Sequence, residues 1–426
     1  MKTKMVVVAL ITVTAGVFSI THMKNAPPSD LRDAMASHNF DTNIPTFEND
    51  EKNVPIPKPV MSEENAVGPA EPTHVKEWTV MVFMNVKNEL DLHGIDDMRN
   101  MEKTGSSSGV NVLLEIGRMK QFANKDSWTG VRRYYINRGG SRILADLGAR
   151  NMGDAGELSD FVKWAKKAYP AKHYLLNIMG HGTGGLKHNP VRSDSKGISY
   201  DYETGNNIDT VQLARALLEM GKIDIFSMTS CLMQTAEVVY ELNGSPVDFI
   251  AGSEQTIYST DYSYDAILQP LSLNPFMKAE TLADHVLRAN LGASAYSLID
   301  ASRIKGLGIY LNAFAKSVVA ADVKNEVQRA RDRAISYGRT RDNKDLYSFV
   351  RLVVDEVSEE NVKRAGQTLM NFIDNELVVS RTRVASHGVA VYLPAGAYNS
   401  DYNELSLCKE TTWCEFVRWQ AANPGK

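Results

Sequence analysis

Two side chains able to do covalent chemistry stand where apolar runs of the sequence break off. The run YLLNIMG at 174–180 delivers His181 into the glycine-rich HGTGG, and the run DIFSMTS at 224–230 delivers Cys231, fifty positions later. In open α/β sheets ligands bind beyond the carboxyl ends of the strands, so neighbouring strands would present an imidazole and a thiol at one rim. Such a pair does nucleophilic chemistry: the sulfur attacks a carbonyl carbon and the imidazole moves the proton. Glycine at 180 and 182 suits that task, because backbone without a Cβ comes close to a bound chain. The N–H of Gly182 can then face a developing oxyanion. The alternatives are a tight turn around a partly buried histidine and a cysteine serving as a small buried apolar group. Two more His-Gly pairs, at His93 and His387, do not follow a strand-like run.

The stretch 232–242 carries Leu232, Ala236, Val239 and Tyr240 on one helical stripe. A helix opening at Cys231 would favour the thiolate through its N-terminal dipole. A cysteine at a strand-to-helix junction also suits phosphate-ester chemistry, which needs an arginine six residues on to hold the anion. That position is Glu237, which repels phosphate.

The elements that must carry these residues follow from periodicity. Runs at 78–84, 110–116, 173–179, 224–230 and 249–252 read as strands, several of them apolar on both faces as buried parallel strands are. Between them, 157–169 places Leu158, Phe161, Val162, Ala165 and Tyr169 on one stripe before Pro170, and 209–220 runs from a capping Asp209 to Gly221. Alternating strands and helices predict an α/β fold with a mostly parallel central sheet and helices on both faces. After about 291 the pattern turns to long helices, with a late strand at 388–393. The arginine-rich stretch 329–341 reads as a solvated helix face, and no internal repeat is present.

At 426 residues and 43% hydrophobic, the chain can bury a large core in one big domain or two. A net charge of -4 gives no basic field for phosphate backbones, so nucleic acid is not an expected partner. Lys2, Lys4 and the apolar run 5–20 have the form of an export signal or an uncleaved anchor within residues 1–22. Residues 23–76 follow as a linker or pro-segment: the stretch 24–74 holds eight of the fifteen prolines and nine acids against four bases. The expected division continues with a catalytic core at 77–300 and a helical extension at 301–426 packed on it. Export predicts a secreted, periplasmic or cell-surface protein, and an oxidising compartment pairs cysteines. Cys408 and Cys414, six apart, are the candidate disulfide and Cys231 is left over.

These residues resemble the clostripain family of cysteine peptidases, relatives of caspases, gingipains and legumains. The likeness runs over 78–394 and includes WTVMVFMNVKNELD at 78–91, MEKTGSSSGVNVLLEIGR at 101–118, the His-Gly block at 180–182, SCLMQ at 230–234 and GVAVYLP at 388–394. The resemblance implies a caspase-like α/β/α sandwich that cleaves polypeptides through a Cys-His dyad. Cys231 is then the nucleophile, His181 the proton donor to the leaving amine, and the N–H groups of Gly182 and Cys231 the oxyanion site. No metal or cofactor is required for that chemistry, although the resemblance allows calcium. It also implies cleavage after Arg or Lys, for which the pocket needs an acid. The family often has aspartate two residues before the nucleophile, where this chain has Thr229, so Glu254 and Asp261 are the remaining candidates. Self-cleavage in the connection 183–208 is expected after Lys196, with Arg192 as second choice. The expected state is a monomer, with membrane contact only through an uncleaved N-terminal segment. The rival expectation is a non-catalytic peptide- or surface-binding protein on the same fold.

Overall fold

The computed structural model describes residues 75–124, 127–185, 197–258, 262–290, 292, 295–382 and 385–421. Fourteen strands occur among them, in chain order β1 (Lys76–Val86), β2 (Val110–Arg118), β3 (Gly130–Asn137), β4 (Gly140–Gly148), β5 (Ala171–Met179), β6 (Ile198–Asp201), β7 (Asn206–Ile208), β8 (Ile223–Thr229), β9 (Val247–Ser253), β10 (Tyr296–Asp300), β11 (Ser336–Tyr337), β12 (Asn343–Asp345), β13 (Val378–Arg381) and β14 (Ala390–Tyr392). Nine of them form the central sheet in the order β13-β10-β9-β8-β5-β1-β2-β3-β4. Its middle five, β9 to β2, run parallel, and the strands beyond them at both edges are antiparallel.

Side-chain alternation splits the interior into two cores, one on each face of the sheet. From β1, Met81 and Phe83 join one core while Val80, Val82 and Met84 join the other. The first core is roofed by helices Ala155–Ala168, Thr210–Met220, Ile304–Ala321 and Leu346–Glu356, the second by Asp91–Glu102, Tyr264–Leu273 and Ala279–Arg288. All residues of β2 and β8 are buried, so the sheet centre is sealed on both sides. Each fully buried Leu, Ile or Phe there contributes about 1.5–3 kcal/mol. Phe226 from the sheet and Phe314 and Phe416 from the C-terminal helices belong to the same core, so residues after 300 complete it.

Several elements differ from expectation. The hairpin β3-β4 was not foreseen: its alternation is obscured by Arg132, Arg133 and Arg142, which lie at a sheet edge where charged side chains stay partly solvated. The expected late strand shortens to β14 and belongs to a separate three-stranded sheet β11-β12-β14; the edge of the central sheet is β13 instead. The connection after His181 is not structureless, since β6 and β7 form a small antiparallel hairpin. In the arginine-rich stretch, Arg329 and Arg333 are exposed and both reach Glu356, but Arg331 is buried and donates to Gln420 Oε1 at 2.9 Å. Cys408 and Cys414 are disulfide-bonded, with Cα atoms 5.2 Å apart, and Cys231 is free.

Candidate active site

β5 and β8 are adjacent and parallel, with Met179 paired to Thr229. His181 and Cys231 are therefore each two residues beyond a matched pair, on the same edge of the sheet. Gly180 makes the exit from β5: its φ is +153°, and a Cβ there would lie 3.0 Å from the Asn85 carbonyl oxygen. Only glycine takes that conformation without strain. Gly182 is pressed against the backbone of the cysteine turn, since a Cβ would fall 2.6 Å from Cys231 O and 2.9 Å from Ser230 Cβ.

The β6-β7 hairpin braces the histidine loop. Ser199 N–H donates to His181 O at 2.9 Å and Thr183 N–H to Gly197 O at 3.0 Å. Gly182 and Ile198 sit between those bonds as a bridged pair, so the Gly182 N–H faces away from the hairpin. Among the described residues, neither it nor the Cys231 N–H donates to a backbone carbonyl.

His181 is half-buried, its ring stacked on Tyr202 at 5.9 Å and 15°. Its Nε2 lies 2.8 Å from Glu89 Oε1, a close contact short of ideal hydrogen-bond alignment. Burial raises the Glu89 carboxyl, yet hydrogen bonding and attraction from His181 outweigh it and leave it below the usual carboxylate value. Glu89 and Tyr202 were not singled out from the sequence. The available signal was an acid just past the end of a strand, and it acquires meaning only once β1 is known to lie beside β5.

Cys231 does not open a helix. It sits in a turn followed by Leu232 at φ +61°, and the helix starts only at Ala236, capped by Thr235. The intervening residues pair with neighbours instead: Leu232 N–H donates to Gln255 O, Gln234 N–H to Ser253 O, and Thr235 bridges Ala390. The expected dipole assistance to a thiolate is thus absent. Burial pushes the Cys231 thiol up, only partly offset by the Ile257 N–H directed at Sγ at 3.4 Å. The resting group is a thiol that needs a base.

The specificity candidates fare differently. Thr229 is buried and its hydroxyl donates inward to Asn177 Oδ1 at 2.9 Å. Glu254 is wholly buried, which rules out direct substrate contact: its backbone extends the β9-β10 pairing and its carboxylate accepts from Gly388 N–H at 3.1 Å and from the Ser386 hydroxyl. Asp261, Arg192 and Lys196 lie outside the described residues.

Burial and the nearby Asp345 raise the Glu254 carboxyl well above its ordinary value. The folded chain thus keeps a proton that the unfolded chain has lost above about pH 4.5. Stability from this group is full below that pH and declines as pH rises, by up to about 1.4 kcal/mol per unit. Glu254→Gln keeps the shape and stays neutral, so its melting temperature should fall less than that of the wild type between pH 5 and pH 8. Parallel declines in the two proteins would refute a protonated Glu254.

The sequence profile of the clostripain family, peptidase family C11, matches residues 82–419. The chain belongs to the clostripain family. Clostripain of Hathewaya histolytica is 24% identical over 217 residues, 44% of this chain, and the chain spans 41% of that relative's length. Among solved structures, an inactive zymogen C11 protease from Parabacteroides distasonis superposes with a TM-score of 0.60 at 17% identity, covering 79% of this chain and 99% of that one. A secreted C11 cysteine protease from Bacteroides thetaiotaomicron in complex with an irreversible peptide inhibitor gives 0.58 at 17% identity, covering 81% and 99%. These likenesses give the family fold, the caspase-like α/β/α sandwich.

Proposed function

We propose that this clostripain-family chain is a cysteine endopeptidase in which Cys231 attacks the scissile carbonyl and His181 handles the proton. The observation that carries the reading is the register of β5 on β8, with Gly182 against the Cys231 backbone. Attack forms a carbon–sulfur bond as the thiol proton passes to His181. The Gly182 and Cys231 N–H groups take the charge that develops on oxygen. His181 then returns its proton to the departing amine, leaving an acyl-enzyme. Water attacks that ester with the imidazole as base and releases the acid and the thiol.

The same reading includes cleavage after Arg or Lys, with Asp261 as the charge, since Thr229 is neutral and Glu254 is sealed. It includes self-processing after Lys196 or Arg192, export by the N-terminal segment, and polypeptides as the partners. Among the described residues no helix is long and apolar enough to cross a membrane. Among the described residues no cluster of three His, Cys, Asp or Glu placed to hold an ion occurs.

The test is covalent labelling of the purified chain by peptidyl chloromethyl ketones that differ only in the P1 side chain. A lysyl reagent should give one adduct on Cys231, absent in Cys231→Ala, and should outpace its norleucyl counterpart. The labelled protein should migrate as two bands on a denaturing gel. No adduct on the wild type would favour the peptide-binding alternative. Faster labelling by the uncharged reagent would remove the basic preference, and a single intact labelled band would remove self-processing.

A further inference from the structure

We infer that Glu89 is a positioning residue for the proposed reaction: its carboxylate holds the imidazole of His181 by Nε2 and leaves Nδ1 for proton traffic with Cys231 and the leaving amine. This rests on the peptidase reading above.

The contact is built rather than incidental. β1 is the other neighbour of β5, with Met84 paired to Met179, so the loop leaving β1 and the loop leaving β5 start at the same level. The β1 loop is pinned beside the imidazole at several points. Asn85 Nδ2 donates to Ser199 Oγ at 3.1 Å, Asn88 Nδ2 to Tyr200 O at 3.1 Å, and Tyr202 N–H to Lys87 O at 3.0 Å. Asn88 Oδ1 also accepts the Leu90 N–H at 3.0 Å, fixing the turn that carries Glu89. The same hairpin residues that hold this loop hold the histidine, since Ser199 binds His181 O and Tyr202 stacks on its ring. One hairpin therefore sets the relative placement of carboxylate and imidazole.

The neighbouring cations are held elsewhere, which leaves His181 as the partner of Glu89. Lys87 is buried and already held by Glu203 Oε2 at 2.5 Å, Asp201 Oδ2 at 3.3 Å and the Arg150 carbonyl at 2.5 Å. Arg118 is held by both oxygens of Asp91 at 2.7 Å. Among the described residues His181 is the ion-pair partner that Glu89 has. Facing the imidazole are Glu89 from the β1 loop and the Tyr202 ring from the hairpin; the Cys231 turn lies against the neighbouring Gly182, and Lys87 is engaged by Asp201 and Glu203 of the hairpin.

The chemistry gives the carboxylate two tasks. Held at Nε2, the ring has one nitrogen left to exchange protons, which removes a non-productive orientation. A fixed negative charge also favours the imidazolium formed when the thiol gives up its proton, and that matters because the buried thiol does not ionise readily alone. The Glu89 side chain is 42% exposed and that of His181 26%, so solvent screens part of this attraction.

The test compares full-length wild type, Glu89→Gln, Glu89→Asp and Cys231→Ala on a fluorogenic peptide, reading kcat and KM across pH. Glu89→Gln should lose roughly 10–100-fold, in kcat rather than KM. The limb of its pH profile that reports the imidazole should move to lower pH, because the neutral amide no longer favours the protonated ring. Glu89→Asp should recover part of both. The half-exposed Glu89 side chain predicts a melting temperature near that of the wild type for both Glu89 variants. An active wild type with Glu89→Gln equal to it in rate and profile would overturn the positioning role alone. So would a loss that is uniform across pH and not recovered by aspartate, or one confined to KM for basic substrates. A wild type with no turnover beyond that of Cys231→Ala would overturn the peptidase reading and this inference with it.

Discussion

His181→Ala is expected to lower kcat/KM for peptide cleavage by roughly 10³–10⁴-fold, with the fold intact. The size follows from the surroundings of Cys231. Burial holds its proton on, and the turn at Leu232 replaces the helix end that would have favoured the thiolate. In the proposed mechanism the imidazole therefore accepts the thiol proton and also supplies one to the departing amine. The two tasks separate with pH. In His181→Ala, alkylation of Cys231 by a chloromethyl ketone should recover at alkaline pH, because direct ionisation of sulfur is enough when chloride leaves. Peptide cleavage should not recover in step, since an amine leaves only with a proton. If His181→Ala retains cleavage within tenfold of wild type, another group is the acid and the dyad assignment fails.

How much of this was legible before the fold was known depends on which physical signal each residue left in the chain. The placement of His181 just past a strand end is readable because a buried strand and the loop glycines are both local features. The same holds for β8, whose apolar run is continuous since both faces are covered. Cys231 lies just past β8 as expected, but the expected helix does not open there. The stripe Leu232, Ala236, Val239 and Tyr240 fits a helix, yet Leu232 packs beside Tyr337 and Ala390, and the chain from 232 to 235 pairs with distant backbone groups. Those partners are about twenty to more than a hundred and fifty residues away, so no window over the stretch contains them. Glu254 failed for a similar reason. As sequence it is an acid in a polar loop, and its burial depends on Ser386 and Gly388, more than 130 positions later. Glu89 is the reverse case: a plain solvent-facing acid by type, given a task only by the strand order β8-β5-β1.

Gly182→Ala is expected to reduce kcat by roughly 10²–10³-fold, the cost of losing one oxyanion donor. The cause is contact, not backbone conformation, because Gly182 is not among the residues with positive φ. A methyl group there would meet Cys231 O at 2.6 Å, Ser230 Cβ at 2.9 Å and Met233 Cγ at 3.0 Å. Two of these are too short to survive, and neither Cys231 O nor Ser230 Cβ is the far end of a flexible side chain. The histidine loop must therefore retreat from the cysteine turn. That movement carries the 182 N–H away from the place where charge develops on oxygen, and it shifts His181 by the same hinge. Substrate contacts elsewhere are untouched, so KM should change little, and overpacking should cost about 1–3 kcal/mol of stability. Gly140→Ala serves as the control, since a Cβ at Gly140 has nothing within 4 Å. Full activity in Gly182→Ala would show that this backbone N–H does not face the reacting carbonyl, and the oxyanion site would have to be sought in other N–H groups of the rim.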